Sequence, residues 1–104
     1  TDVIYDMACV NKFIDILIPE NIYKIIKEDE ENNTELLKTL YYYLLEERSL
    51  KKAGEQLQVH RNSIVYRMGK VDEITKLNLE SAEARRNILS ALELIKRIYP
   101  EYMK

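Results

Sequence analysis

Apolar residues recur along this chain at intervals of three and four, the spacing of one face of an α-helix. Val3, Met7, Val10, Ile14 and Leu17 form a first stripe and predict a helix over residues 3–17. Pro19 ends that helix or opens the next, because proline suits a first helical turn. Ile22, Ile25 and Ile26 then make a short amphipathic helix. Residues 28–33, Glu-Asp-Glu-Glu-Asn-Asn, are expected as a solvated linker. Beyond it Leu36, Leu40 and Leu44 form one row and Leu37, Tyr41 and Leu45 the next, which gives a wide buried face. Asn33 or Thr34 is the expected cap, with Glu35 well placed in the first turn. Tyr41-Tyr42-Tyr43 cannot all turn inward, which leaves Tyr42 or Tyr43 to cover a neighbouring helix. Near the end, Ser81 caps a helix over residues 82–99, lined inside by Ala84, Ile88, Leu92 and Ile95 and supported by Leu89 and Ile98. Arg85, Arg86, Lys96 and Arg97 fall outside that stripe, Pro100 stops the helix, and Tyr99 and Tyr102 are placed to fasten the tail. Strand signals are nearly absent, and both glycines lie in helical patterns. The expected fold is all-α: a compact domain of about five to six helices.

The stretch of residues 49–71, SLKKAGEQLQVHRNSIVYRMGKV, has a pattern of its own. A first helix runs over about 49–57, capped by Ser49, with Leu50, Ala53 and Leu57 on one face. Gln58-Val59-His60 breaks the periodicity. A second helix starts at about Arg61 and turns Ile64, Met68 and Val71 inward. Glycine inside a helix costs roughly 1 kcal/mol against alanine. Ala53-Gly54 is therefore read as room for a close crossing, with Val59 plugging the corner. The outward face of the second helix is expected to carry His60, Arg61, Asn62, Ser63, Tyr66, Arg67 and Lys70. Arginine and asparagine make paired hydrogen bonds to guanine and adenine edges, while serine, tyrosine and lysine hold phosphates. Two short helices, a tight turn and such a face describe a helix-turn-helix whose second helix, about 61–76, suits the major groove.

Residues 50–68 resemble the Fis-type helix-turn-helix in the placing of small and apolar residues. The closer similarity is to the C-terminal DNA-binding domain of the PucR/CdaR family of bacterial transcription regulators. Residues 59–74, VHRNSIVYRMGKVDEI, resemble that family's V-H-R-N-T-L-x-Y-R-L-x-x-I-E-E. The resemblance extends through Glu35–Leu40, Ser49–Ala53, the Leu77-Asn78-Leu79 turn and the final helix, covering about residues 34–98. Ser63 stands for threonine and keeps the hydroxyl. Val65 stands where the family often has arginine, and Gly54 where it usually has alanine. The resemblance implies a transcription regulator and sensory domains ahead of this one, so the chain is expected to be the C-terminal part of a longer protein. Within it, residues 1–33 are read as a helical lead-in and 34–98 as the helix-turn-helix core of a single domain.

Charge sharpens the picture. The net charge of −2 argues at first sight against nucleic acid. Its distribution argues the other way. Residues 1–47 hold 4 basic and 11 acidic side chains, whereas residues 48–70 hold 6 basic and 1 acidic. The positive excess sits on the proposed reading unit. One cysteine and one histidine give no zinc cluster and no internal disulfide. Cys9 reads as a small core or boundary residue in a reducing, cytoplasmic setting. The carboxylates at 28–31 lack the glycine and alternating oxygens of a calcium loop. His60 has no partner at a nucleophile's spacing, and no phosphate-binding loop occurs, so an enzyme is not expected and neither is a cofactor. No apolar run reaches the ~18 residues of a membrane span. The expected partner is double-stranded DNA, bound by a homodimer or higher oligomer assembled through this chain or upstream domains. Ser49, Lys51 and Lys52 brace phosphates, while Arg61, Asn62, Ser63, Tyr66 and Arg67 enter or line the groove. Arg85, Arg86, Lys96 and Arg97 are expected in solvent, where Arg85 and Arg86, near the helix start, are also within reach of further phosphates. The competing reading is a helical protein–protein module whose basic face meets an acidic partner. An aromatic platform at Tyr41–Tyr43 for stacking single-stranded bases lacks the interleaved basic residues it would need.

Overall fold

Ser49 and Ser81 do what their positions require. The Ser49 Oγ accepts the backbone N–H of Lys52 at 3.2 Å, and the Ser81 Oγ accepts that of Ala84 at 3.2 Å. Each satisfies an amide that the first helical turn leaves unpaired. The structure, a computed structural model, describes residues 18–104. The helix expected over 3–17, and Cys9 with it, lie outside the described residues. Within them run α1 (Glu20–Asn32), α2 (Leu36–Leu45), α3 (Leu50–Leu57), α4 (Arg61–Thr75) and α5 (Ala82–Ile98), followed by a 3₁₀ turn at Pro100–Met103. There is no strand among the described residues.

The second helix is the hub. It packs against α1, α3, α4, α5 and the final 3₁₀ turn. Its composition explains this, since Leu36, Leu37, Thr39, Leu40, Tyr41 and Leu44 are all buried. A helix apolar on so much of its circumference must be covered from several sides. Around it Ile22 and Ile25 come from α1, Val71 from α4, and Leu92 and Ile95 from α5. Truncating a leucine such as Leu37 or Leu40 in such a site costs about 2–5 kcal/mol.

Several expectations change here. Residues 28–32 are not a linker but the last turns of α1, which ends where Asn33 enters the left-handed region at φ 54°. Asparagine tolerates that conformation better than most residues. The cap of α2 is neither Asn33 nor Thr34. The Asp29 carboxylate reaches across the turn and accepts the backbone N–H of Leu36 at 2.8 Å and of Leu37 at 3.0 Å. The Thr34 hydroxyl donates to the same carboxylate. Leu45, expected in the buried row, is 41% exposed, because it is the last residue of α2 and the chain turns away at Glu46. Tyr42 and Tyr43 are half-buried and pack on the core, with the Tyr42 ring edge-on to Tyr41 at 5.1 Å. They therefore form no open stacking platform.

The last helix is fastened at both ends. Arg85, expected in solvent, instead donates from Nη1 to the carbonyls of Leu79 at 2.7 Å and Glu80 at 3.0 Å, closing the link before α5. Near the other end the Tyr41 hydroxyl donates to Glu93 Oε1 at 3.0 Å, and Lys96 Nζ stands 5.0 Å from the centre of the Tyr41 ring. Burial, then the hydrogen bond to Glu93, holds the Tyr41 hydroxyl above the ordinary tyrosine range. Tyr99 and Tyr102 lie with ring centres 5.9 Å apart and Met103 is buried, so the tail folds back as its aromatic residues suggest.

Candidate nucleic-acid interface

The link between α3 and α4 is three residues long, and each has a distinct task. Gln58 takes the left-handed conformation at φ 58°, which ends α3. Val59 donates its N–H to the Gly54 carbonyl at 2.9 Å. His60 then opens α4 as its N-cap, its Nδ1 accepting the backbone N–H of Asn62 at 3.0 Å. The turn folds directly over Gly54. A Cβ built there would stand 2.7 Å from the Val59 carbonyl oxygen and 3.6 Å from the Arg61 nitrogen. The close approach expected at Ala53-Gly54 is therefore real, and its partner is the backbone of the turn and the start of α4. Ala53 beside it is fully buried.

On α4, Ile64, Val71 and Thr75 are buried and Met68 is half-buried. That stripe fixes the opposite face. Arg61, Val65 and Gly69 form one exposed row at intervals of four, and Asn62, Tyr66 and Lys70 form the row beside it. Val65 is 51% and Tyr66 67% exposed. Lys70 Nζ lies 3.7 Å from Glu73 Oε2 and 6.0 Å from the centre of the Tyr66 ring. The side chains of Arg61 and Asn62 make no hydrogen bond or ion pair among the described residues. Lys51, Gln58, His60 and Arg61 line one shallow recess, so α3 and the start of α4 share a surface. Lys52 is exposed on α3, while Ser49 and Ser63 are half-buried.

Arg67 does not share the outward face expected for it: its side chain is only 23% exposed. Its Nη1 donates to Thr39 Oγ1 at 3.2 Å and stands 3.7 Å from Glu35 Oε1. The residue follows Ile64 by three and precedes Val71 by four, so it borders the buried stripe and meets α2 rather than solvent.

The PucR C-terminal helix-turn-helix domain matches residues 36–94, from the start of α2 well into α5. The chain belongs to that family. It is the DNA-binding domain of a transcription regulator. It is 41% identical over 70 residues, or 67% of its length, to the proline-responsive transcriptional activator PutR of Bacillus subtilis. Over 69 residues, or 66% of its length, it is 29% identical to the purine catabolism regulatory protein of the same organism. Those alignments span 17% and 13% of the two relatives. No solved structure matches the chain.

Two features of this PucR-type domain lie outside the basic and polar residues of the motif. Val65 and Gly69 lie in the middle of the exposed face, a placement that follows from counting helical turns opposite Ile64 and Val71. Exposed Asp72 and Glu73 close the same face at its C-terminal end, where carboxylates repel phosphate. The basic and polar part of α4 is thus confined to its first two and a half turns. Among the described residues no group of side chains is placed to hold a metal ion, and no helix is long and apolar enough to cross a membrane.

Proposed function

We propose that this domain binds double-stranded DNA sequence-specifically by laying the first turns of α4 in the major groove. Arg61 and Asn62 carry the proposal. They stand at the exposed start of α4, where a helix presented end-on reaches base edges first, and among the described residues their side-chain donors and acceptors are uncommitted. Lys51 and Lys52 on α3, with Ser49, brace the phosphate backbone beside them. His60 holds the amide of Asn62 and so sets the start of the reading helix, while Tyr66 and Lys70 meet the flanking phosphates or sugars. Arg67 ties α4 to the hub and orients the helix instead of touching bases. The domain acts by binding, without catalysis or cofactor, as the DNA-reading part of a bacterial regulator in the cytoplasm.

One such unit reads only a few base pairs, so useful affinity calls for two copies on half-sites about 34 Å apart, one turn of DNA. Contacts between copies would come from this chain or from further domains. The test is selection of bound duplexes from a random library, followed by footprinting. A recurrent sequence, protected as two half-sites with matching orientation, supports the reading. No enriched sequence, and no duplex binding that unrelated DNA or polyanions compete, contradicts it and favours a protein partner for the basic face.

A further inference from the structure

The exposed face of α4 has an apolar centre that hydrogen bonding to bases does not explain. Four large apolar or aromatic side chains are notably exposed among the described residues, and two of them, Val65 and Tyr66, are neighbours on this face. Tyr66 has a hydroxyl and the nearby Lys70 ammonium. Val65 has neither, and it lies between Arg61 one turn before it and Gly69 one turn after, with Asn62 beside it. It is a poor helix former at a position where packing within the domain asks for nothing.

We infer that Val65 is a specificity residue whose isopropyl group seats against the 5-methyl of a thymine in the major groove. The inference rests on the proposal that α4 reads DNA, and it adds the base that the centre of the helix selects. The thymine methyl is the apolar mark in the major groove's pattern of donors and acceptors, and apolar side chains recognise it by contact. The place of that thymine follows from spacing. Val65 is three residues beyond Asn62 and four beyond Arg61, or about 4.5–6 Å along the helix at 1.5 Å per residue. Base pairs are stacked about 3.4 Å apart. The thymine therefore lies one or two base pairs from the bases that Arg61 and Asn62 read. The polar row of Asn62, Tyr66 and Lys70 keeps the patch one side chain wide. That suits a methyl group and gives an apolar protein surface little to bury.

The experiment replaces each thymine of the selected duplex in turn by deoxyuridine, which removes the methyl and leaves the base pair intact. Each duplex is titrated with the whole chain and with Val65→Ala, whose melting temperature should be no lower than that of the parent, because the side chain is exposed and alanine is the better helix former. At one thymine the parent should lose about fourfold in affinity, equivalent to about 0.8 kcal/mol for one buried methyl group. Val65→Ala should bind the two duplexes alike, at the affinity of the parent for the uracil duplex. Equal binding of thymine and uracil duplexes by the parent at every position overturns the inference, and so does a Val65→Ala protein that keeps the full fourfold preference. Arg61→Ala and Asn62→Ala, run alongside, separate the two levels. If they flatten specificity while the uracil series is silent, α4 reads DNA without a methyl contact. If they too are silent, α4 does not read DNA and the inference falls with that reading.

Discussion

Gly54 and Val59 meet more closely than any side chain would permit: a Cβ on Gly54 would stand 2.7 Å from the Val59 carbonyl oxygen. The obstacle is backbone in the turn of the helix-turn-helix, so it yields only if the start of α4 shifts. Replacing Gly54 by leucine should cost roughly 1–3 kcal/mol through overpacking. Alanine should cost less, because it sets only a Cβ against the turn while it recovers about 1 kcal/mol of helix propensity. Urea denaturation measures both. An unchanged midpoint for Gly54→Leu would show that the turn does not lie over this residue.

Arg67 offers a test of which arginines are structural. Its hydrogen bond to Thr39 and its proximity to Glu35 couple α4 to α2. Arg67→Ala should lower stability by about 1 kcal/mol, the scale of one hydrogen bond to a partly exposed group. The folded fraction should retain its preference for specific over random DNA. A stable Arg67→Ala protein that has lost that preference would put Arg67 in the groove.

Asp29 should be worth about 1–2 kcal/mol as the cap of α2, although it belongs to the preceding helix. Its carboxylate takes two backbone amides, those of Leu36 and Leu37. Asp29→Ala should lose the whole effect and Asp29→Asn only part of it, since the amide keeps one acceptor oxygen. Thermal denaturation of the two variants checks the order. Equal stability of all three proteins would mean that those amides find other partners.

These particulars show where the sequence was legible. The helices follow from apolar spacing, and Ser49 and Ser81 were readable as caps because each acts on an amide three residues ahead. Asp29 was not readable, because its partners lie seven and eight residues on, beyond a turn whose shape depends on Asn33. The partners of Arg67 are hidden in the sequence for a similar reason. A basic residue in a basic motif looks solvent-facing until Thr39, 28 residues earlier, is brought alongside. Arg61, Asn62, Tyr66 and Lys70 were legible because exposure on α4 follows from helical period alone. The same period puts Val65 and Gly69 on that face, but in the motif Val65 reads only as the absence of a family arginine, and a residue without donors or acceptors does not announce itself as a base-reading group.

Gly69 separates stability from binding. A Cβ there meets nothing within 4 Å, so Gly69→Ala should stabilise the free domain by about 1 kcal/mol of helix propensity. If α4 lies close against the groove, the same methyl group should weaken DNA binding. A higher melting temperature with lower affinity is the expected pair of results. A rise in both would place Gly69 away from the DNA.

A titration against salt tests most directly whether α4 reads bases while α3 holds phosphates. Arg61→Ala, Asn62→Ala, Lys51→Ala and Lys52→Ala are each titrated with the selected duplex and with random duplex at several salt concentrations. Loss of Arg61 or Asn62 should cost about 1–3 kcal/mol on the selected site and little on random DNA, so that specificity flattens. Loss of a lysine on phosphate should weaken both duplexes alike and reduce the slope of log affinity against log salt by about one. A specific-to-random ratio left intact by both Arg61→Ala and Asn62→Ala would contradict base reading by α4.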